Sequence, residues 1–476
     1  MIYQALKNSI LFKVAGLLLL TLLLCIPLAR IDALNHERGQ SQREAAAELA
    51  RTYADSQQVI GPLLVVPYVE RWTEVQRNAE GNVIRNLQRS KEAAHIVFPE
   101  RQHIEGSLTP QERYRGIFKV PFYTLKATLD GAFAGFNVAG IARSETDSQI
   151  DMKTPYIAFK VSDLRGFDGS PVLAMQGESL PFAQRVPGLA DDGVMGGGIH
   201  APLSGEALAA WKAGKPLPFE LKLGLVGHES LSVVPLGAET TAHLTSPWAH
   251  PSFGGRFLAS ERSITAQGFD ARWRVSSLVT TAREQLVNGV MVRKGTDPAF
   301  LQSFDVSLAQ PVNVYSMSTR AGKYGALFIG LVIMAAFMFE LFRKLRMHPV
   351  QYGLVGLSIA LFFLLLLALS EKVAFGMAYA GAASASVLLL VVYFSAVVGG
   401  WQRGVAFGAY VAVLYGALYG LLASESNALL LGALLVFGML AVLMLATRKV
   451  DWYALSAGSV NAAVPAAMVS VPSPAN

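Results

Sequence analysis

The chain has 476 residues, 52% of them hydrophobic and only 16% charged, with a formal net charge of +6. Soluble proteins average about 45–50% apolar and about 25% charged, so this balance excludes an ordinary soluble multidomain enzyme. No Lys/Arg block is interleaved with aromatics, which excludes nucleic acid as a partner.

The apolar excess is concentrated in residues 11–29 and 323–446, so the chain reads as an integral membrane protein with one large polar insertion. The first run, Val14 to Ala29, is interrupted only by Thr21 and Cys25. A cleaved signal peptide would want small residues at −3 and −1. The stretch PLARIDA places Pro27 or Ile31 at −3 of its two alanines, so the run reads as an uncleaved anchor. Lys7 and Lys13 before it, against Asp32 and Glu37 after it, predict a cytoplasmic N-terminus within residues 1–31. Residues 32–59 then read as a stalk helix just outside the membrane: His36 to Gln58 is rich in Ala, Glu and Arg, without proline.

From Ile60 the period changes to two. Phe118, Val120 and Phe122 alternate with polar or proline positions, and after a phase change so do Leu125, Ala127 and Leu129. Phe219–Leu223, Phe269–Val275 and Phe304–Leu308 repeat the pattern. Such alternation predicts half-buried strands, punctuated by Gly/Pro/Asp/Ser turns. Residues 60–318 therefore read as a periplasmic all-β domain, an antiparallel sandwich or two in tandem. Gly205–Lys212 and Ala282–Asn288 are short helix candidates.

Five further apolar runs, near 323–342, 351–370, 374–398, 404–423 and 428–446, predict a C-terminal five-helix transmembrane bundle within residues 319–449. The basic flanks Arg343/Lys344/Arg346, Arg403 and Arg448/Lys449 alternate with Glu371 and Glu425. Six spans with both termini inside put every basic flank in the cytoplasm. The tail, residues 450–476, lacks a core pattern and reads as disordered.

Chemistry is harder to find. The eight histidines include no HExxH. His243 and His250 flank Trp248 in what reads as a loop, and no partner completes a metal set. GxSxG and Walker A patterns are absent, so no catalytic residue, metal or cofactor is assigned and the protein is read as a non-enzyme. Inside the spans, ionisable residues are functional candidates by default. Glu340 lies three and four residues before Arg343 and Lys344, which predicts either a pair at the interface or a place lining a bundle cavity. Glu371 beside Lys372 marks a span boundary. Small residues in Gly376–Ser386 and Gly404–Gly420 predict close helix packing.

Several blocks together resemble the CreD family of bacterial inner-membrane, cell envelope integrity proteins. They are Gly61-Pro62 with the following LLVVPY, His250–Leu258 (HPSFGGRFL), Gly268–Ser276 (GFDARWRVS) and Arg320–Phe328 (RAGKYGALF). His348–Gly356 (HPVQYGLVG), Ser370-Glu371 and Thr447–Tyr453 (TRKVDWY) complete the set. The resemblance spans about residues 5–453. One departure is Glu425-Ser426-Asn427, where the family pattern suggests an acidic pair. The resemblance implies an inner-membrane location, a role in envelope integrity and stress tolerance, and no catalytic set. On these blocks and the intramembrane charges, His250, Arg256, Arg320, Lys323, Tyr324, Glu340, His348 and Glu371 are the candidate functional residues. Implied partners are the lipid bilayer and an envelope protein, lipid or glycan. The alternative is a transporter or lipid-handling protein that uses the helix bundle.

Overall fold

The computed structural model describes residues 10–77, 83–136, 138–141, 143–189, 193–291, 301–308, 314–343, 347–424 and 428–448. The chain divides into two compact units, residues 1–41 with 312–476 and residues 42–311.

Helix α1, Ile10–Thr52, is one unbroken helix of 43 residues, with Pro27 inside it. At about 1.5 Å per residue it is about 65 Å long, twice a hydrocarbon core. The stalk segment read at 32–59 therefore continues the anchor helix, as far as Thr52. Between Arg30 and His36 no glycine or proline stops the helix, so composition changes without a break. The helix ends at Thr52, and strand β1 already begins at Gln57.

The second unit is built from strands β1 (Gln57–Arg77), β2 (Val83–Val97), β3 (Arg101–Arg115), β4 (Phe118–Phe133), β5 (Gln149–Met152) and β6 (Tyr156–Val161). There follow β7 (Val172–Met175), β8 (Glu178–Leu180), β9 (Ala183–Gln184), β10 (Ile199–Pro202), β11 (Leu217–His228) and β12 (Ser230–Val233). The series ends with β13 (Glu239–Ser246), β14 (Pro251–Gly255), β15 (Glu261–Thr265), β16 (Gly268–Ser276) and β17 (Phe304–Leu308). One sheet runs β14-β17-β12-β1-β6-β10-β9, with β2 and β5 also paired to β1. The other runs β15-β16-β13-β3-β4-β11-β7-β8.

The sheets are mixed rather than antiparallel throughout, because β1 pairs β12 and β3 pairs β13 in parallel. The chain passes from the first sheet to the second after β2, β6, β10, β12 and β14, and the crossings after β2 and β12 lie side by side. The N–H groups of Ala238 and Glu239 donate to the carbonyls of Pro99 and Glu100 at 2.9 and 3.1 Å. Buried Gln102 ties this corner. Its amide donates to Gly61 O at 2.9 Å, and its carbonyl oxygen accepts from Leu236 N–H and Thr240 Oγ1, both at 3.4 Å.

One core lies between the sheets. Val59, Leu64, Phe159, Leu231 and Val306 of the first belong to the same apolar cluster as Ile104, Leu125, Leu221, Leu244 and Trp273 of the second. The unit is thus one sandwich, not two in tandem. In β1 the register shifts between Ile60 and Leu63 at Gly61-Pro62, a bulge. Gly61 has φ +105°, and a Cβ there would sit 3.0 Å from Ala158 O. Ile60, Leu63 and Val65 thereby face outward. They are covered by Val194 and Met195 and by helix α3 (Ala282–Met291), which follows the short α2 (Gly205–Lys212).

In β4 the alternation changes phase without a bulge. Val120 and Phe122 are buried with Leu49 at the end of α1, while Tyr123, Leu125, Ala127 and Leu129 face the main core. Both faces of the strand are dry where the alternation switches.

The first unit gathers α1 with α4 (Val314–Lys323), α5 (Gly325–Arg343), α6 (Pro349–Ser370), α7 (Phe375–Val398), α8 (Trp401–Ala423) and α9 (Ala428–Thr447). Among the described residues five helices are long and apolar enough to cross a membrane: α1, α5, α6, α7 and α8. In α9 the corresponding apolar segment is the shorter Leu430–Val442. The expected second span, 323–342, is α5, and the shorter α4 precedes it, with Tyr324 between the two helices. Lys344, Arg346, Glu425–Asn427, Lys449 and the tail 450–476 lie outside the described residues.

The N-terminal helix is a member of the bundle rather than a lone tether. Its Leu24 and Leu28 are buried with Phe328, Ile329, Ile333 and Val355. Two glycines allow the approach: a Cβ on Gly325 would sit 2.6 Å from Leu28, and one on Gly356 would sit 2.3 Å from Leu24.

Candidate functional site

Ionisable side chains concentrate in two places within the helical unit, and both tie α1 to the helices that follow the β-body in sequence. Near the start of α1, the Lys13 ammonium donates to Glu340 Oε1. The Tyr352 hydroxyl donates to the other carboxylate oxygen at 2.5 Å, and Lys13 Nζ lies 5.8 Å from the Tyr352 ring centre. Glu340 is 8% exposed and Tyr352 fully buried. A carboxylate in that position would be costly alone, so a cation and a hydroxyl compensate it. The side chains of Arg343 and Lys344, read as an interface pair for Glu340 beside the alternative of a cavity-lining place, lie outside the described residues; Glu340 itself faces Lys13 of α1 and Tyr352 of α6.

Toward the end of α6, Arg38 Nε lies 3.8 Å from Glu371 Oε1, and the Tyr315 hydroxyl donates to the same oxygen at 3.4 Å. Asn35 Nδ2 donates to Tyr315 O at 3.0 Å and to Thr319 Oγ1 at 2.5 Å. Burial, and then the neighbouring Glu371 charge, push the Tyr315 hydroxyl up to about 12. From Tyr352 to Glu371 the helix rises about 28 Å, and from Lys13 to Arg38 about 37 Å. The two clusters therefore bracket a length close to one hydrocarbon core, about 30 Å.

The other residues named from sequence have local roles. His348 caps α6: its Nδ1 accepts from Val350 N–H at 3.3 Å, while Gln351 Oε1 accepts from His348 N–H at 2.9 Å. Lys323 is exposed at the end of α4, Arg320 is half-buried there, and Tyr324 packs against the bundle core. His250 and Arg256 are exposed. Their block forms edge strand β14, with Trp248 Nε1 donating to His250 O at 3.0 Å and Arg256 N–H donating to Ser303 O at 2.7 Å.

The β-body holds a site that sequence reading missed. His243 lies in strand β13, not in a loop, between the outer faces of β3 and β16. Its Nδ1 is 2.7 Å from Glu105 Oε1 and its Nε2 is 3.0 Å from Asp270 Oδ2. With a carboxylate on each nitrogen, both can donate only when the ring is protonated. The Asp270 carboxylate, seconded by Glu105, raises its pKa above the usual histidine value against the opposing pull of burial. Cross-strand pairing extends the row from Glu261 through Arg272, His243, Glu105 and Thr128 to Lys222. The alternation Thr241, His243, Thr245 was the available signal.

Three grooves open on this polar face. One of about 540 Å³ is lined by Glu105, Lys126, Thr128 and Lys222; one of about 460 Å³ by Thr245, Ser263, Thr265 and Asp270; one of about 530 Å³ by Arg101, His103, Asp130 and Thr241. Among the described residues no group of three His, Cys, Asp or Glu side chains is arranged to hold a metal ion.

These features define a multi-pass integral membrane protein carrying a large mixed-sheet β-body. The sequence model of the family described as "Inner membrane protein CreD" matches residues 9–453. "Inner membrane protein CreD" of Escherichia coli (strain K12) is 32% identical over 452 residues, 95% of each chain. The chain belongs to the CreD family and is an inner-membrane protein.

Proposed function

We propose that this CreD-family protein is a non-enzymatic envelope-integrity factor whose β-body lies in the periplasm, with both chain termini in the cytoplasm. The body binds or senses an envelope component through the outer face of its second sheet. The observation that supports this reading is the set of grooves on that face, lined by hydroxyls and charges of both signs. A polar polymer or headgroup can pair with such a surface, whereas an apolar ligand cannot.

The test is binding of the detergent-solubilised full chain to purified wall glycan and to envelope-lipid vesicles. It is run beside the double variant Lys126→Glu/Lys222→Glu, whose side chains are exposed. Retention by one of the two materials, lost in the variant, supports the reading; no retention, or retention unchanged by the variant, refutes it. A reporter placed near Gly197 should be periplasmic, and a cytoplasmic reporter would overturn the proposed sidedness.

A further inference from the structure

Between α6 and α7 lies an apolar groove of about 400 Å³, bounded by Ser358, Leu361, Leu365 and Ala368 on one helix and by Ala382 and Ala385 on the other. Alanine at three of these positions leaves the hollow that larger side chains would fill. The groove presents hydrocarbon. The Ser358 hydroxyl is already given to Val355 O at 2.9 Å, and that of neighbouring Ser386 lies 3.0 Å from the Tyr415 hydroxyl.

Its dimensions select the occupant. Ser358 lies near the middle of α6 and Ala368 near its end, a rise of about 15 Å, half of a hydrocarbon core of about 30 Å. A hollow of that length, lined mostly by aliphatic side chains, suits one extended acyl chain laid along it.

Charge completes the assignment. Leu361, Leu365, Ala368 and Lys372 recur at i, i+4, i+7 and i+11, so they form one stripe along the helix. The turn continues to Lys372, whose N–H donates to Leu369 O at 2.9 Å. Lys372 is exposed at the end of the stripe, where a membrane phosphate would lie. Adjacent Glu371 faces Arg38 and Tyr315.

We propose that this groove seats one acyl chain of an anionic glycerophospholipid, in the leaflet on the Glu371 side, with the headgroup phosphate at Lys372. The inference is independent of the ligand of the β-body.

The full chain, reconstituted in mixed phosphatidylglycerol and phosphatidylcholine and released into mild detergent, should retain one phosphatidylglycerol per chain by native mass spectrometry. Ala385→Phe, which fills the groove, should lower that retention at least about fivefold. Leu388→Phe should leave it unchanged, since Leu388 is exposed on the same helix but does not line the groove. Lys372→Gln should keep a bound lipid yet lose the preference for the anionic headgroup. In the unaltered protein, a phospholipid with a photoreactive acyl chain should label Leu361 and Leu365 above Leu388 and Val392. Even labelling of all four, no retained lipid, equal retention by Ala385→Phe, no headgroup preference, or a second copy of the chain in place of lipid would each overturn the proposal. Should Ala385→Phe not fold, the labelling pattern still decides.

Discussion

Tyr352 donates its hydroxyl hydrogen to Glu340 Oε2 across 2.5 Å, and Lys13 holds the other oxygen of the same carboxylate. Three helices, α1, α5 and α6, therefore meet at one buried charge. Removing Lys13 leaves that charge uncompensated. Lys13→Met should destabilise the chain by about 2 kcal/mol, below the 3–5 kcal/mol of a fully buried pair because its side chain is 32% exposed. The double variant Lys13→Met/Glu340→Leu should recover most of the loss. Thermal unfolding in detergent, read by size-exclusion fluorescence, checks both. If the double variant is as unstable as the single one, the carboxylate is not what Lys13 serves.

The contact of Gly356 with Leu24 makes the packing of α1 testable. Gly356→Ala places a methyl group 2.3 Å from Leu24 Cδ1 unless the helices part, a cost of about 1–3 kcal/mol. Cys25 is the only cysteine and is half-buried next to Leu24. A membrane-permeant maleimide should therefore label it faster in Gly356→Ala. An unchanged rate would mean that α1 does not pack there.

His243 predicts a pH dependence with a definite sign. Its folded-state pKa is raised, so its contribution to stability is fully present below about 6.5, the unfolded value. The contribution is lost as pH rises from there through the folded value. The unfolding temperature should fall across that window and do so less in His243→Gln. A parallel decline in both proteins would show that the imidazolium clasp between Glu105 and Asp270 contributes nothing measurable.

Glu70 predicts the opposite slope. It is buried, and Ser144 donates its backbone N–H at 2.6 Å and its hydroxyl at 2.7 Å to the carboxylate. These bonds, the Ser144 side chain foremost, lower its pKa to about 2. Its stabilising contribution is present above the usual carboxylate range and lost as pH falls through about 2. Glu70→Gln should speed amide exchange in residues 143–150 at neutral pH while leaving β11 protected; equal exchange in both proteins would discount the link.

Gln102 ties the corner where the crossings after β2 and β12 pass. Gln102→Leu removes three hydrogen bonds and leaves Gly61 O, Leu236 N–H and the Thr240 hydroxyl to find other partners, at a cost of about 2–4 kcal/mol. Urea unfolding should show this loss with an unchanged slope. A change below about 0.5 kcal/mol would mean water takes its place.

Much of this was legible along the chain. Hydrocarbon demands about twenty apolar residues in a row, so the membrane runs announce themselves by length. A strand with one wet face alternates, and Leu217–His228, Gly268–Ser276 and Phe304–Leu308 do so in burial as in sequence. Glu340 was conspicuous because a carboxylate in an apolar run needs an explanation. Its partner was not, because Lys13 stands 327 positions away and looked like any flanking cation. His243 was misread because Ser246-Pro247 follows so closely that the segment resembled a turn.

Location in a membrane, strand content and the odd charge among apolar neighbours follow from local composition and periodicity, which each short stretch carries by itself. The single sandwich, the parallel pairs, the admission of α1 to the bundle and the partners of Glu340, Glu371 and His243 came only with the tertiary structure. Each depends on which distant surfaces fit together, through Gly325 and Gly356 against Leu28 and Leu24 or through Gln102 at the crossing. Fit between remote surfaces is a property of the folded whole that no window of sequence contains.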